Sequence, residues 1–290
     1  MAAHHGASRF VIVDYVVCDV FTDTPLEGNQ LGVFIDAGEL AGEQMQRLAR
    51  ELNYSESTFV LPAERDGDAR IRIFTPAGEV PFAGHPTLGT AFVVGEARGM
   101  DEVRLETGKG TVPVRLERAG STVAFGRMRQ PLPTIESYDR EAELLGALGV
   151  DRSELPVELY DNGIRHVFVA LGSEKRVADL RPDGRRLVEL GDIGVNCFAG
   201  TGGRWKTRMF AASLGVSEDP ATGSAAGPLA LHLARYGRIE WGREIEIRQG
   251  AEIGRPSKLY ARVEGGPDRV ETVEVGGSAV IVARGRFELP

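Results

Sequence analysis

Two short stretches hold most of the residues that could move a proton or hold an anion. Phe82–Val94 reads FAGHPTLGTAFVV and Ala221–Ala234 reads ATGSAAGPLALHLA. Each opens on glycine plus one polar residue, Gly84-His85 and Gly223-Ser224, and runs through small residues into an apolar segment. A helix that is apolar all round is buried inside something. Its first turn leaves backbone N–H groups unsatisfied and carries about half a positive charge, and glycine there lets a ligand approach the backbone. If both helices start at one interface, their N-termini form a paired anion site suited to a carboxylate. Glycines that only permit close packing are the alternative.

Few titratable residues border these starts. Asp219 stands five residues before Ser224 in SEDPATGSAAG, Ser217 to Gly227. Glu56 lies in NYSESTFV, Asn53 to Val60; it is either a turn carboxylate or an acid/base entering a partly apolar pocket. Asp219 and Ser224 also have the chemistry of helix caps. Pro228 suits an early helical position, which puts the first turn at about Ala225–Pro228. Asp219, Ser224 and His85 have the residue types of a hydrolytic triad, but Gly223-Ser224-Ala225 is not the GxSxG elbow.

Other patterns lead elsewhere. TGKGTV, Thr107 to Val112, lacks phosphate-loop spacing and reads as a hairpin turn. AGTGG, Ala199 to Gly203, is not a dinucleotide fingerprint. His85, His166 and His232 are scattered, so no metal site is expected, and His232 on an apolar helix reads as a core histidine.

The surrounding elements are mostly strands. Phe10–Phe21, Leu31–Ile35, Ser57–Leu61, Arg70–Thr75, Arg165–Leu171, Asp192–Phe198, Arg208–Ala211, Glu244–Gln249, Leu259–Val263 and Val270–Val275 carry strand character. Val103–Thr107 and Thr111–Glu117 form a hairpin, and Ala279–Ala283 is a last buried strand. Gly42–Leu52 and Arg140–Leu148 have helical apolar spacing. Many strands with few helices predict an α+β fold. QPLPT, Gln130 to Thr134, is the linker candidate. Positions 85 and 224 lie 139 residues apart in a chain of 290. That spacing suggests a pseudo-repeat of two lobes, each a mixed sheet around one central helix; two unrelated helices in one core is the plainer alternative. The lobes are expected at 10–128 and 129–278, with 279–290 returning to the first and 1–9 left as a polar leader.

Composition narrows the partners. Lys and Arg number 34 and Asp and Glu 42, a formal charge of −8, which argues against nucleic acid. The basic run Arg204-Trp205-Lys206-Thr207-Arg208 reads as a solvated face. No apolar run reaches membrane-span length. The leader MAAHHGASR has no apolar core of a secretory signal, and Cys18 and Cys197 are too few for a disulfide scaffold, so the cytoplasm is expected. Glycine, 37 of 290, is nearly twice its usual share of about 7%, and part of that surplus sits at the two helix starts.

Four motifs, in order, resemble the phenazine-biosynthesis F-type (PhzF) isomerase family. They are Glu27-Gly28-Asn29, Ser55-Glu56-Ser57-Thr58-Phe59, Phe82-Ala83-Gly84-His85-Pro86, and Glu218-Asp219-Pro220-Ala221-Thr222-Gly223-Ser224-Ala225. The likeness runs from about Phe10 to the C-terminus and includes VNCFAG (Val195–Gly200) and QGAEIGRPS (Gln249–Ser257). The resemblance implies the fold of diaminopimelate epimerase, with a site in the cleft between two lobes, a homodimer, and no cofactor or metal. It also implies an isomerase that moves a proton on trans-2,3-dihydro-3-hydroxyanthranilate. Glu56 would be the general acid/base, with His85 and Asp219 assisting. Ser224 and the amides at Gly84-His85 and Gly223-Ser224 would bind the carboxylate. Enclosure of such a carboxyl group would raise its pKa toward the working range.

Thiol chemistry is disfavoured, because the epimerase branch places one cysteine at each helix entrance and this chain has His85 and Ser224 there. Gln30 and Ser57 stand where the family commonly has proline and threonine. The first neighbours the cleft and leaves substrate identity open. An isomerase or epimerase of another small carboxylate, and a non-catalytic binding protein, are the competing readings. Glu56 argues against the latter, since binding alone needs no proton carrier.

Overall fold

The computed structural model describes residues 11–289; the leader expected at 1–9, and Phe10, lie outside them. The chain begins with β1 (Val11–Val20), β2 (Asn29–Phe34), α1 (Gly42–Leu52), β3 (Glu56–Leu61), β4 (Ala69–Phe74) and β5 (Glu79–Val80). It continues through α2 (Gly84–Arg98), β6 (Glu102–Thr107), β7 (Gly110–Ala119) and β8 (Thr122–Arg129). Then come β9 (Thr134–Ser137), α3 (Glu141–Leu148), β10 (Glu158–Asp161), β11 (Arg165–Ala170), α4 (Glu174–Ala178) and α5 (Gly184–Val188). β12 (Gly194–Thr201), β13 (Arg204–Ala211), β14 (Val216–Asp219) and α6 (Gly223–Arg235) follow. The chain closes with β15 (Ile245–Gln249), β16 (Ser257–Gly266), β17 (Arg269–Gly277) and β18 (Ala279–Leu289).

One hydrogen-bonded ladder joins the strands, and it reads as the same motif twice. The first run is β18-β1-β2-β3-β4-β6-β7-β8, antiparallel except for the parallel pairs β2–β3 and β4–β6. The second is β9-β10-β11-β12-β13-β15-β16-β17, antiparallel except for β11–β12 and β13–β15. The parallel steps fall at the same places. β5 leads into α2 as β14 leads into α6, and each hangs antiparallel on the corresponding strand, β4 or β13. Pairing of β8 with β17 joins the runs. The C-terminal strand lies along β1 from Val11↔Leu289 to Val20↔Ala279, in the place that β9 holds beside β10.

Burial explains the two apolar helices. In α2 every residue from Gly84 to Gly95 is buried, and in α6 every residue from Gly223 to Ala234. α2 packs on β1, β2, β3, β6, β7, β8 and β18; α6 packs on β11, β16 and β17. Strand side chains alternate between two layers. Val33 and Val60 face α2, while their neighbours Phe34 and Phe59 face α1 and stack with ring centroids 4.5 Å apart. In the second half, α3, α4 and α5 cover the outer face through Leu144, Val177 and Leu187.

Several local expectations change. The linker candidate starts with a buried residue: the Gln130 amide donates to the Gly223 carbonyl at 2.7 Å, and β9 begins at Thr134. The last strand is longer than expected and half exposed, because it is an edge strand. Arg208 is not on a solvated face. It is buried and paired with Glu218 at 2.7 Å, and it also donates to three carbonyls at the end of α4 and beyond. Pro228 lies inside α6, which starts at Gly223 rather than Ala225. Its missing N–H frees the Ser224 carbonyl, which accepts from Asn162 Nδ2 at 2.9 Å. The strand at Thr122–Arg129 escapes periodicity because Gly126 interrupts it; a Cβ there would stand 2.7 Å from Phe92 and 2.8 Å from Leu88 of α2.

The two helix starts touch. A Cβ on Gly84 would stand 2.3 Å from the Gly223 carbonyl carbon and 2.3 Å from the Ser224 nitrogen. Backbone cannot yield as a flexible side chain can, so Gly84→Ala is expected to destabilise by about 1–3 kcal/mol, as overpacking does. Gly78→Ala, with nothing within 4 Å of the new methyl, serves as the control. Thermal melts of the two variants check this, and equal midpoints would contradict the contact.

Candidate active site

The residues singled out by type converge. Ser55, Glu56, Gly84, His85, Asp219, Thr222, Gly223 and Ser224 line one cavity, closed on its apolar side by Val80, Ile164, Met209 and Leu214. Its volume is about 30 Å³, room for about one water. Glu56 is not a turn residue. It opens β3, registers against Leu31 and directs a side chain that is 14% exposed toward His85, Oε2 to Nδ1 at 3.6 Å. Its Oε2 is buried and has no hydrogen-bond partner.

Asp219 ends β14 and is not a helix cap. Thr222 Oγ1 donates to it at 2.6 Å, Ser55 Oγ at 2.9 Å and Asn29 Nδ2 at 2.9 Å. Nor does Ser224 cap α6; it is the second helical residue, and Thr222 at the cap makes no side-chain cap bond. Asn29 was quoted in a motif without a role, yet it ties the site together. Its Nδ2 also meets the Ala221 carbonyl at 3.0 Å and His85 Nδ1 at 3.2 Å. Gln249 orders the same corner, donating to the Asp219 carbonyl and to Thr222 Oγ1. Only three-dimensional proximity marks these partners, since Asn29 and Asp219 are 190 residues apart.

The two carboxyl groups face different surroundings. Burial pushes Glu56 well above its ordinary range, and the nearby Asp219 charge pushes the same way. Burial also raises Asp219, but bonds from Thr222, Ser55 and Asn29 oppose it. Three donors oppose the rise on Asp219 and none reaches Glu56 Oε2, so Glu56 is the member of the pair that holds a proton more readily. Burial pushes His85 down to about 3 and holds it neutral.

Among the described residues, the N–H groups of Gly84, His85, Gly223 and Ser224 have no acceptor. All four residues, from two touching helix ends, line the one cavity. The thiols lie elsewhere: Cys18 sits against the middle of α2 beside Gly89, and Cys197 is in the outer-layer core of the second half. Burial raises both.

Two pseudo-symmetric half-sheets around abutting helices define the diaminopimelate-epimerase type of fold. A solved hydroxyproline epimerase from Agrobacterium vitis shares that fold, with a TM-score of 0.67 at 15% identity over 97% of this chain and 93% of that one. Residues 18–285 match the family model described as phenazine biosynthesis-like protein, and the chain belongs to that family. It is 56% identical, over 95% of its length and 99% of the relative's, to a Pseudomonas aeruginosa protein named trans-2,3-dihydro-3-hydroxyanthranilate isomerase. A solved PhzF-family protein from Bacillus anthracis matches with a TM-score of 0.81 at 26% identity, covering 96% of this chain and 99% of that one.

The raised Glu56 has a consequence for stability. The unfolded chain releases this proton near pH 4.5, while the folded protein keeps it. Stability therefore falls as pH rises from there toward the folded value. Glu56→Gln removes that cost. The variant is expected to melt higher than wild type at neutral pH, with the gap closing below about pH 4.5. Melts across that range check it; a gap that persists at low pH would contradict the assignment.

Proposed function

We propose that this chain is an isomerase that moves a proton on trans-2,3-dihydro-3-hydroxyanthranilate in phenazine biosynthesis, with Glu56 as general acid/base. The observation that carries the reading is the unpartnered, buried Oε2 of Glu56 beside two abutting helix starts. The substrate class follows the named relative. The free amides of Gly84, His85, Gly223 and Ser224 suit its carboxylate, and a fixed carboxylate decides which ring carbon faces Glu56.

The chemistry needs one group that takes a proton from one ring carbon and gives it to another, so that no net proton is consumed. Glu56 must first release the proton that burial favours; as carboxylate it then takes the ring proton, becomes the acid, and is a carboxylate again at the end. A raised pKa strengthens it as a base, and charge on Asp219, which three donors favour, adds to the rise on Glu56. Neutral His85 lies within reach of Glu56 and of the cavity, and its unpartnered Nε2 is free to meet substrate. The space in the closed cleft is too small for the ring, so binding requires the lobes to part. We take those lobes as 10–128 with 279–290, and 129–278, each built on one run of the ladder.

A homodimer in the cytoplasm completes the reading. Among the described residues, the registered partner of β18 is β1, which leaves the other long edge of β18 for pairing. Both cysteines are free and buried, as suits a reducing compartment. No helix among the described residues is long and apolar enough to cross a membrane.

Incubation with the dihydrohydroxyanthranilate, followed by absorbance and by ring deuteration in heavy water, tests the activity. Glu56→Gln is expected to lose about 10²–10⁴-fold in kcat/KM. The acid limb of the wild-type profile is expected at an apparent pKa above 4.5, because the base must be ionised and burial raises it. No turnover by wild type would sink the substrate assignment, and full activity in Glu56→Gln would sink the mechanism.

A further inference from the structure

The second half of the molecule repeats the surroundings of the first around a different side chain. At the start of α2, His85 meets Asn29 of β2 and Glu56 of β3. At the start of α6, Ser224 meets His166 of β11, and His166 meets Asn196 of β12. The second cluster is wholly enclosed: relative exposure is 0% for His166 and 2% each for Asn196 and Ser224. Ser224 is the member that lines the cavity.

The neighbouring acceptors point to one set of hydrogen-bond directions in this cluster. Asn196 Nδ2 lies 3.0 Å from the Gly194 carbonyl, so the amino group of that amide faces it. The same Nδ2 is 3.3 Å from His166 Nδ1. A protonated Nδ1 would put donor against donor, so Nδ1 accepts and the ring proton is on Nε2. Nε2 lies 2.9 Å from Ser224 Oγ, which must accept. The serine hydroxyl proton is therefore turned away from the imidazole. Gly194 makes room for the ring, since a Cβ there would stand 2.7 Å from His166 Nδ1. Burial keeps the imidazole neutral.

We propose that His166 is a positioning residue that makes Ser224 an obligate hydrogen-bond donor to the carboxylate of the substrate. The proposal rests on the reading of the cleft as a carboxylate site. It also removes the hydrolytic alternative, because a serine nucleophile needs an unprotonated nitrogen facing its hydroxyl. Here the nitrogen carries the proton. The Asn162 amide fixes the same residue from behind through the carbonyl that Pro228 leaves free. Ser224 thus has its backbone and its oxygen held, and one proton to offer.

The test uses anthranilate, a ring carboxylate without the reacting centre, and anthranilamide, its neutral counterpart, as probes for calorimetry. Nitrogen-15 NMR of histidine-labelled wild type is expected to show His166 protonated at Nε2; a proton at Nδ1 overturns the proposal without any mutation. His166→Leu is expected to weaken anthranilate binding about tenfold and to reduce its preference over anthranilamide, as loss of a hydrogen bond to a charged group does. His166→Gln places an amide donor near the Nε2 position and is expected to stay within about threefold of wild type. Ser224→Ala with His166→Leu should bind no worse than Ser224→Ala alone. Additive losses, or failure of the glutamine to rescue, would show a structural role instead. Labelling of Ser224 by a fluorophosphonate overturns the proposal, as does wild type that binds no anthranilate. Wild type that binds anthranilate but does not turn over the dihydro substrate removes only the isomerase reading.

Discussion

The structure depends on two glycines that allow two helix ends to meet. Gly84 and Gly223 bring the backbone of one helix start into contact with the other. A side chain at Gly84 would separate them by the width of a methyl group. That separation would also spread the amides of Gly84, His85, Gly223 and Ser224, which act on an anion only when they converge. Like-signed dipole ends repel, so the arrangement costs electrostatic energy until an anion neutralises it. The apolar burial of α2 and α6 holds the ends together in the meantime. The proposed anion site is thus built from packing and needs no cationic side chain.

The repeated ladder clarifies how one scaffold supports two different tasks. Each half presents a helix start beside the first parallel strand pair, β2–β3 or β11–β12. In the first half those strands place Asn29 and Glu56 next to His85. In the second they place His166 and Asn196 next to Ser224. The first cluster leaves a carboxyl oxygen without a donor, which suits proton exchange. The second satisfies its serine oxygen and orients it, which suits binding. A thiol racemase would need the two sides to act alike. Here the asymmetry is chemical, while the backbone remains symmetric.

Much of this was legible in the residues, for physical reasons that differ by element. Helices apolar on all sides could only be buried, so α2 and α6 were readable, as was α1, whose bounds match its apolar spacing. The glycine-polar pairs marked the two helix starts that meet at one cavity. β8 and β10 were not readable, because their apolar period is broken by Gly126 in one and cut to four residues in the other. Glu56 was ambiguous for a different reason. A glutamate between serines reads as polar surface, and only the strand register of β3 shows that it points inward. Arg208 looked solvated in its basic run until Glu218 and three carbonyls were brought to it from elsewhere in the chain. His166 had no local signal at all, since its meaning comes from Ser224, 58 residues away.

The same logic explains why so many polar groups can be buried here at tolerable cost. An isolated buried carboxylate is expensive, and the usual response is a bound proton or a set of donors. Asp219 takes the second route, and its three donors come from β2, the turn before β3 and the turn before α6. Glu56 takes the first route, and the raised pKa that results suits a group that must take a proton and give it back. The donors that oppose the rise on Asp219 also make Glu56 the readier of the pair to hold a proton. Removing any one of them weakens the distinction between the two carboxyl groups. Asn29 is therefore more than a brace: with Ser55 and Thr222 it favours charge on Asp219 and so separates the two acids.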